Sequence, residues 1–413
     1  MDNLSHLAAG LAAGELIHRL LPREADPHGH GTRRRLLLFS CAAANTFPDL
    51  DLVLTQMLPA PLGYLLHHRG HTHTILYAIP QALVLMLATL LAWPNARHLV
   101  RASGAAGRGF VAAVTTGFGL HLLMDFLNSY GIHPFYPLDA EWRYGDMVYI
   151  IEPVFWVAFG VPLAMMVRRR MLRAMLLALP CLALLFFTVR GFLLPASLAV
   201  LAALGAGAAI AQHRSGPAGR GALAGVFALM LGFVALQGAA SSHGRSMVTQ
   251  ALLRAQPDQR VLDVAMTSFP SNPLCWNFVS VQANEGAGTF TVRRGVASLD
   301  PALLAPSQCP AAMLAMGGGT PADGASGAVL VQLTREASLP ALRAMYHNAC
   351  HMRAWLRFVR SPALDAEGGW DLRYGSGPDG NFSTIRHRDF SGQPCPQGVP
   401  EWGFPRADLL GLQ

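Results

Sequence analysis

Eight apolar runs, at roughly 4–20, 36–57, 75–93, 110–128, 150–167, 171–189, 192–211 and 221–240, constrain this chain more than any other feature. Each is long enough to carry a helix across most of a hydrocarbon core about 30 Å thick. The 413 residues are 52% hydrophobic and only 13% charged, which excludes an ordinary soluble protein. The expected fold class is an α-helical polytopic membrane protein of about eight helices, residues 1–240, followed by a C-terminal α+β extramembrane domain, residues 241–413. In the first run Gly10 and Gly14 form a small-xxx-small pattern that lets a neighbouring helix approach closely. Arg19 and Arg23 follow that run instead of preceding it, which argues against a cleaved signal peptide.

Arginine assigns the sides. All 31 basic residues are arginine, and the formal charge of +7 divides into +6 before residue 240 and +1 after it. With eight spans, fourteen arginines fall in one set of loops and only Arg69, Arg143 and Arg190 in the other. The positive-inside rule places the fourteen in the cytoplasm and both termini outside. The expected location is a bacterial inner membrane, multi-pass, with the C-terminal domain periplasmic. Basic residues are not interleaved with aromatics, so no nucleic-acid partner is expected. His28 and His30 then fall in a cytoplasmic loop.

After residue 240 the composition turns to Ser, Pro, Gly, Asp and Arg with short β-rich runs. Trp276–Val281 and Thr289–Val292 alternate like strands, and Asn284, Gly286 and Gly288 between them supply hairpin-turn chemistry. Leu339 to Arg360 reads as one helix, and Trp370–Tyr374 and Phe382–Ile385 as two more strands. Cys41 and Cys181 lie in apolar runs, whereas Cys275, Cys309, Cys350 and Cys395 all lie in the outer domain. An even count in an oxidising compartment predicts two disulfides, with three connectivities open.

The chemistry gathers around His67-His68-Arg69-Gly70-His71-Thr72-His73-Thr74, four histidines and an arginine between two apolar runs. Buried imidazoles each need partners for their ring nitrogens, so such a cluster is not core filling. Upstream lies Phe47-Pro48-Asp49-Leu50-Asp51, where Pro48 interrupts a helix and both carboxylates are expected to turn to one side in an extended or loop conformation. Downstream, His121 and Asp125 are four apart on one helical face. By the arginine count these residues and His6 lie at the outer ends of their helices.

The expected metal ligands are therefore His6, Asp49, Asp51, His68, His73, His121 and Asp125. Taken singly, an intramembrane carboxylate is a pairing or relay group and a helical His a satisfied core group; seven on one side point to a metal. His67 and His71 are candidates for solvent-facing or supporting donors. Arg69 either grips a phosphate or pairs with Asp49 or Asp51. Glu15 lies about 13 Å deeper than His6 along the helix, out of reach of the same ion, and is expected in a polar packing contact. His133, Asp139 and Asp146 lie on an outer loop as rim candidates or solvated charges.

This set resembles the YdjM-type family of membrane-bound metal-dependent hydrolases. The resemblance rests on Ser5-His6, Phe47-Pro48-Asp49-Leu50-Asp51, His68-Arg69-Gly70-His71-Thr72-His73-Thr74, and His121-Leu122-Leu123-Met124-Asp125 followed by Tyr130-Gly131 and Pro134. The motifs stand in the family's order over roughly the first 150 residues. Trp276 and Asp371-Leu372-Arg373-Tyr374 are similar to a small β-rich part of longer members. One departure is His71, a position commonly aliphatic in the motif. The resemblance implies that the seven residues are metal ligands or near-ligands, and it supplies a reaction class without a substrate.

The expected function is an inner-membrane hydrolase with divalent metal, zinc first, in one or more ions, cleaving a phosphoester of a membrane lipid or lipid-linked substrate at the periplasmic face. Asp49 and Asp51 are the expected proton acceptors and Arg69 the phosphate-neutralising group. The alternative is a membrane metal transporter or metal-binding sensor, against which the clustering of ligands at one face counts. A structural protein, with idle metal motifs and a working outer domain, ranks last.

Overall fold

The computed structural model describes residues 1–216, 219–316 and 327–412. In chain order the apolar part gives α1 (Asn3–Leu20), α2 (Pro27–Ala44), a 3-10 helix (Phe47–Met57), α3 (Leu62–His67), a 3-10 turn (His71–His73), α4 (Ile75–Ala92), α5 (Pro94–Ala102) and α6 (Gly104–Phe126). There follow α7 (Pro153–Met165), α8 (Arg170–Val189), α9 (Pro195–Ser215) and α10 (Gly221–Ala255). The rest comprises β1 (Arg260–Phe269), β2 (Asn272–Asn284), β3 (Thr289–Ser298), α11 (Ala311–Ala315), β4 (Val329–Ser338), α12 (Leu339–Asn348) and α13 (Cys350–Leu356). It ends in β5 (Pro362–Leu364), β6 (Gly368–Asp371), β7 (Ile385–Arg386) and α14 (Ala407–Leu410). Two compact units result: Met1–Leu50, His71–Leu127 and Tyr149–Ala235 form the first, and Asp51–Gly70, Asn128–Val148 and Leu236–Gln413 the second. The compositional change at residue 240 falls inside α10.

In the first unit, helix starts follow capping chemistry. Asp26 accepts from the backbone N–H groups of His28 (3.1 Å) and Gly29 (2.7 Å), and Pro27 takes the first helical position, where a missing N–H costs nothing. The helix therefore begins well before the apolar run near residue 36, and His28 and His30 are helical, not in a loop. Thr74 and Ser103 cap α4 and α6 in the same way. Close packing of α1 on α2 needs Gly10 and Gly14, because an added Cβ would lie 2.7 Å from Ala42 Cα and 2.6 Å from the Leu37 carbonyl oxygen. Leu36, Leu37, Cys41, Phe110, Val114 and Phe118 form the core between these helices.

Among the described residues six helical segments are long and apolar enough to cross a membrane: Pro27–Met57, Ile75–Ala92, Gly104–Phe126, Arg170–Val189, Pro195–Ser215 and Gly221–Ala255. The expectation of eight is reduced by two. The run near 4–20 makes an 18-residue helix, but His6, Glu15, His18 and Arg19 lower its apolar character. The run near 150–167 yields only the 13 residues of α7, started by Pro153. Asp49 and Asp51 lie in a 3-10 helix and not in an extended segment, since Pro48 ends α-helical bonding without preventing tighter turns.

The second unit carries an antiparallel sheet in the order β1-β2-β3-β4 and a small sheet β5-β6-β7. The expected hairpin is β2–β3, with Val281 opposite Val292; Asn284 Oδ1 accepts from the Ala287 N–H at 3.0 Å across the turn. The expected helix from Leu339 to Arg360 is divided, because Ala349 is extended between α12 and α13. Strand character at Trp370 ends at Asp371, whose carboxylate accepts from the Arg373 N–H (3.0 Å) and starts a 3-10 turn. Near Phe382 only Ile385 and Arg386 pair as a strand, since Asn381 Oδ1 draws the Ser383 N–H (3.0 Å) into a local turn. Cys275 pairs with Cys309 and Cys350 with Cys395, while Cys41 and Cys181 are free thiols.

Candidate metal centre

Four helix ends of the first unit deliver the candidate ligands. His6 sits in the first turns of α1, Asn45 caps the end of α2, His73 precedes α4, and His121 and Asp125 occupy the last turns of α6. Asp49 follows α2 on the 3-10 helix. One donor atom from each of Asp49, His73, His121 and Asp125 lies within 4.8 Å of the other three. His121 Nε2 is 2.9 Å from His73 Nε2, 3.5 Å from Asp125 Oδ2 and 3.7 Å from Asp49 Oδ1. His73 Nε2 is 3.1 Å from Asp125 Oδ2 and 3.5 Å from Asp49 Oδ1. Ligands about 2.0–2.2 Å from a tetrahedral zinc lie about 3.3–3.6 Å from one another, so these separations fit one small ion after minor adjustment.

The tautomers favour that reading. His121 Nδ1 donates to the Asn45 carbonyl at 2.8 Å, which leaves Nε2 as an acceptor facing the cluster. His73 Nδ1 lies 3.0 Å from the Thr72 hydroxyl, which can donate to it or accept from it, and Nε2 is the nitrogen that faces the cluster. Without a cation, a proton on His73 Nε2 satisfies the contact between the two rings; with one, both nitrogens are ligands. His6 stacks on His121 at a centroid distance of 4.3 Å and brings Nε2 to 3.2 Å from Asp125 Oδ1, a position also approached by the Met1 amino nitrogen. His6 Nδ1 is 3.3 Å from Asn45 Oδ1, and the Asn45 amide donates to the His6 carbonyl at 2.5 Å. His73, His121 and Asp125 are buried, and the Asp49 side chain keeps 15% of its exposure.

Asn45 is the participant that the sequence reading missed. It touches both His6 and His121, and its signal is present: an Asn at a helix end just before Thr46-Phe47-Pro48. Glu15 accepts from Arg19 Nε (2.8 Å) and Arg34 Nε (2.7 Å), a packing role as expected. His71 lies against Tyr77, 5.5 Å between ring centroids.

The other candidates belong to the second unit, and the four-residue group does not include them. Asp51 Oδ1 is 3.0 Å from His68 Nδ1, and Asp51 Oδ2 accepts from the Arg69 N–H at 2.9 Å. A carboxylate on Nδ1 makes Asp51 the partner that orients the His68 ring. Arg69 has a φ of +57°, a left-handed conformation uncommon for a non-glycine residue, and donates from Nη1 to Asn128 Oδ1 at 3.0 Å over the Tyr130 ring. His67 is buried on α3. His133 is stacked on Trp402 at 4.1 Å, and Asp139 pairs with Arg143, so neither is a bare rim charge. Asp146 is fully buried, where Arg360 and Arg245 neutralise it, in place of the solvated loop charge expected.

An apolar helical bundle with a His/Asp cluster at its helix ends defines a membrane protein that could hold a divalent cation. Residues 1–194 match the family model described as YdjM inner membrane protein, which bears out the resemblance and extends it past residue 150. That match stops short of Trp276 and Asp371–Tyr374. No curated protein matches the chain, and no solved structure does.

Proposed function

We propose that this chain is a polytopic inner-membrane metal-dependent hydrolase that cleaves a phosphoester of a lipid or lipid-linked substrate at the periplasmic face. The observation that carries the reading is the convergence of His73 Nε2, His121 Nε2 and the carboxylates of Asp49 and Asp125, with His121 Nδ1 already committed to Asn45. Two imidazoles and two carboxylates suit zinc among the common divalent ions. When bound, such an ion would supply water of lowered pKa and polarise a phosphoryl oxygen. The chain's own residues do the rest. Asp49, the most exposed of the four, accepts a proton from water as the water oxygen bonds to phosphorus and the bond from phosphorus to the leaving oxygen breaks, and that proton then passes to the leaving oxygen. With Asp49 as proton acceptor, His73, His121 and Asp125 are the three protein ligands of one tetrahedral ion and leave its fourth position to water. His6, Asp51 and His68 as further ligands, Asp51 as a second proton acceptor and Arg69 as the phosphate-neutralising group stay in the proposal on the strength of the motif.

The periplasmic assignment is supported by the two disulfides in the second unit, which suit an oxidising compartment. Metal transport is the lesser reading, because the ligands lie at the ends of α1, α2 and α6 and not along a span. The test is phosphate release from phospholipid vesicles by the purified protein. Turnover should vanish in Asp125→Ala and His73→Ala, and should fall in Arg69→Ala with metal retained. Wild-type turnover in Asp125→Ala would sink the proposal.

A further inference from the structure

Two cavities of the first unit share a wall, and together they have the shape of an amphiphile. One, of about 440 Å³, is lined by Arg19, Arg34, Arg168, Arg173 and His213. The other, of about 750 Å³, is walled by Leu7, Leu11, Trp156, Leu163, Leu176 and Leu179. Arg34, Met166, Val167 and Arg168 line both. Both volumes are in the range of ligand sites.

The chemistry divides sharply between them. Leu7 and Leu11 are four apart on α1, and Leu176 and Leu179 three apart on α8, so each helix presents one continuous apolar strip to the groove. At its end the groove meets guanidinium groups. Glu15 accepts from Arg19 and Arg34, and Arg19 also meets the Gly219 carbonyl and Met166 Sδ. Four arginines against this one carboxylate still leave the basic chamber with a net positive charge. Arg168 is exposed and Arg173 half-buried, so their fork-shaped donors are accessible to a phosphate.

We propose that this compound cavity binds an anionic phospholipid, its phosphate held by Arg34, Arg168 and Arg173 and an acyl chain laid in the groove between α1 and α8. Basic pockets between membrane helices recognise such headgroups by charge, and the adjoining groove excludes a soluble anion as the preferred occupant. The site is separate from the metal group: Arg19 is thirteen residues beyond His6 on α1, about 20 Å along the helix. The inference rests on membrane placement and not on the hydrolase reading.

Native mass spectrometry of the detergent-solubilised full chain, given equal amounts of phosphatidylglycerol and phosphatidylcholine with the same acyl chains, reads the preference directly. Phosphatidylglycerol should be retained roughly tenfold or more over phosphatidylcholine, and Arg168→Gln/Arg173→Gln should bring the ratio to parity. Arg169→Gln, at a neighbouring arginine outside both linings, should keep the preference. Gly160→Leu, which adds a side chain where nothing lies within 4 Å at the groove wall, should weaken retention of both lipids. Equal retention by the wild-type protein, or an unchanged preference in the double variant, overturns the assignment. Metal content should be the same in all these proteins, which separates failure here from failure at the metal centre.

Discussion

Two buried polar assemblies of this chain follow opposite charge logic. In the second unit, Arg360 binds Asp146 through Nη1 and Nη2 (both 2.9 Å) and Asp263 through Nε (2.6 Å) and Nη2 (3.0 Å), stacked over the Tyr144 ring at 4.1 Å. Arg245 and Arg406 add further contacts to Asp146 and Asp263. Three guanidiniums thus answer two carboxylates, so each buried carboxylate has positive partners within the unit. In the first unit, the group of Asp49, His73, His121 and Asp125 contains two carboxylates and two imidazoles whose inward nitrogens are directed by contacts on the other side of the ring. Acceptors gathered around a common centre are stabilised by a cation, whereas paired charges need none. Burial alone therefore does not mark function; the balance of donors and acceptors does.

Breaking the closed network should have the largest effect. Arg360→Ala takes the shared guanidinium from Asp146 and Asp263 and leaves them only Arg245 and Arg406, and removing one partner of a buried pair costs about 3–5 kcal/mol. Denaturant unfolding of the full chain should show that loss, with metal content per folded chain unchanged. The same substitution leaving stability at the wild-type level would mean that the pairs are not formed.

A smaller effect is expected at Asn45. Asn45→Ala removes the amide that fixes His6 but keeps the backbone carbonyl that orients His121. Metal affinity, measured by competition with a chelator, should fall about 10–100-fold, the usual consequence of losing an outer partner. Unaltered affinity would remove His6 and its anchor from the centre.

Smaller again is the acid sensitivity of the network. Burial pushes the Asp263 carboxyl up, but the Arg360 guanidinium beside it prevails and holds it at about 2, below the ordinary 3.8. A carboxyl depressed on folding contributes stability above its unfolded value and loses it as pH falls from about 4 through 2, here about 2 kcal/mol in all. Asp263→Asn should lower stability at neutral pH and flatten its dependence between pH 2 and 4. An identical pH slope in wild type and variant would contradict this.

The bundle and the ligand motif were legible because both rest on local pattern: long apolar runs, and His and Asp at helix spacing. Pro27–Arg35 was missed as helix because its polar side chains hide the periodicity, although Asp26-Pro27 is a good start signal. Strands β1 and β4 escaped for a related reason. Asp263, Thr267, Gln332 and Arg335 interrupt their apolar alternation, and Asp263 is there to meet Arg360, 97 residues away in the chain. The pairing of Asp146 with Arg360 spans 214 residues, and no local spacing encodes it. Asn45 needed the fold as well, since only the close approach of α1, α2 and α6 gives its amide and carbonyl two histidines to hold.

The central claim is that the four-residue group of the first unit binds a divalent cation. Elemental analysis of the full-length protein purified in detergent tests it most directly, with Asp125→Ala, His73→Ala and Arg360→Ala beside it. The account predicts about one ion or more per chain in the wild type and in Arg360→Ala, and near none in the two ligand variants. A full metal complement in both ligand variants, or a metal-free wild type after growth with zinc, would contradict it.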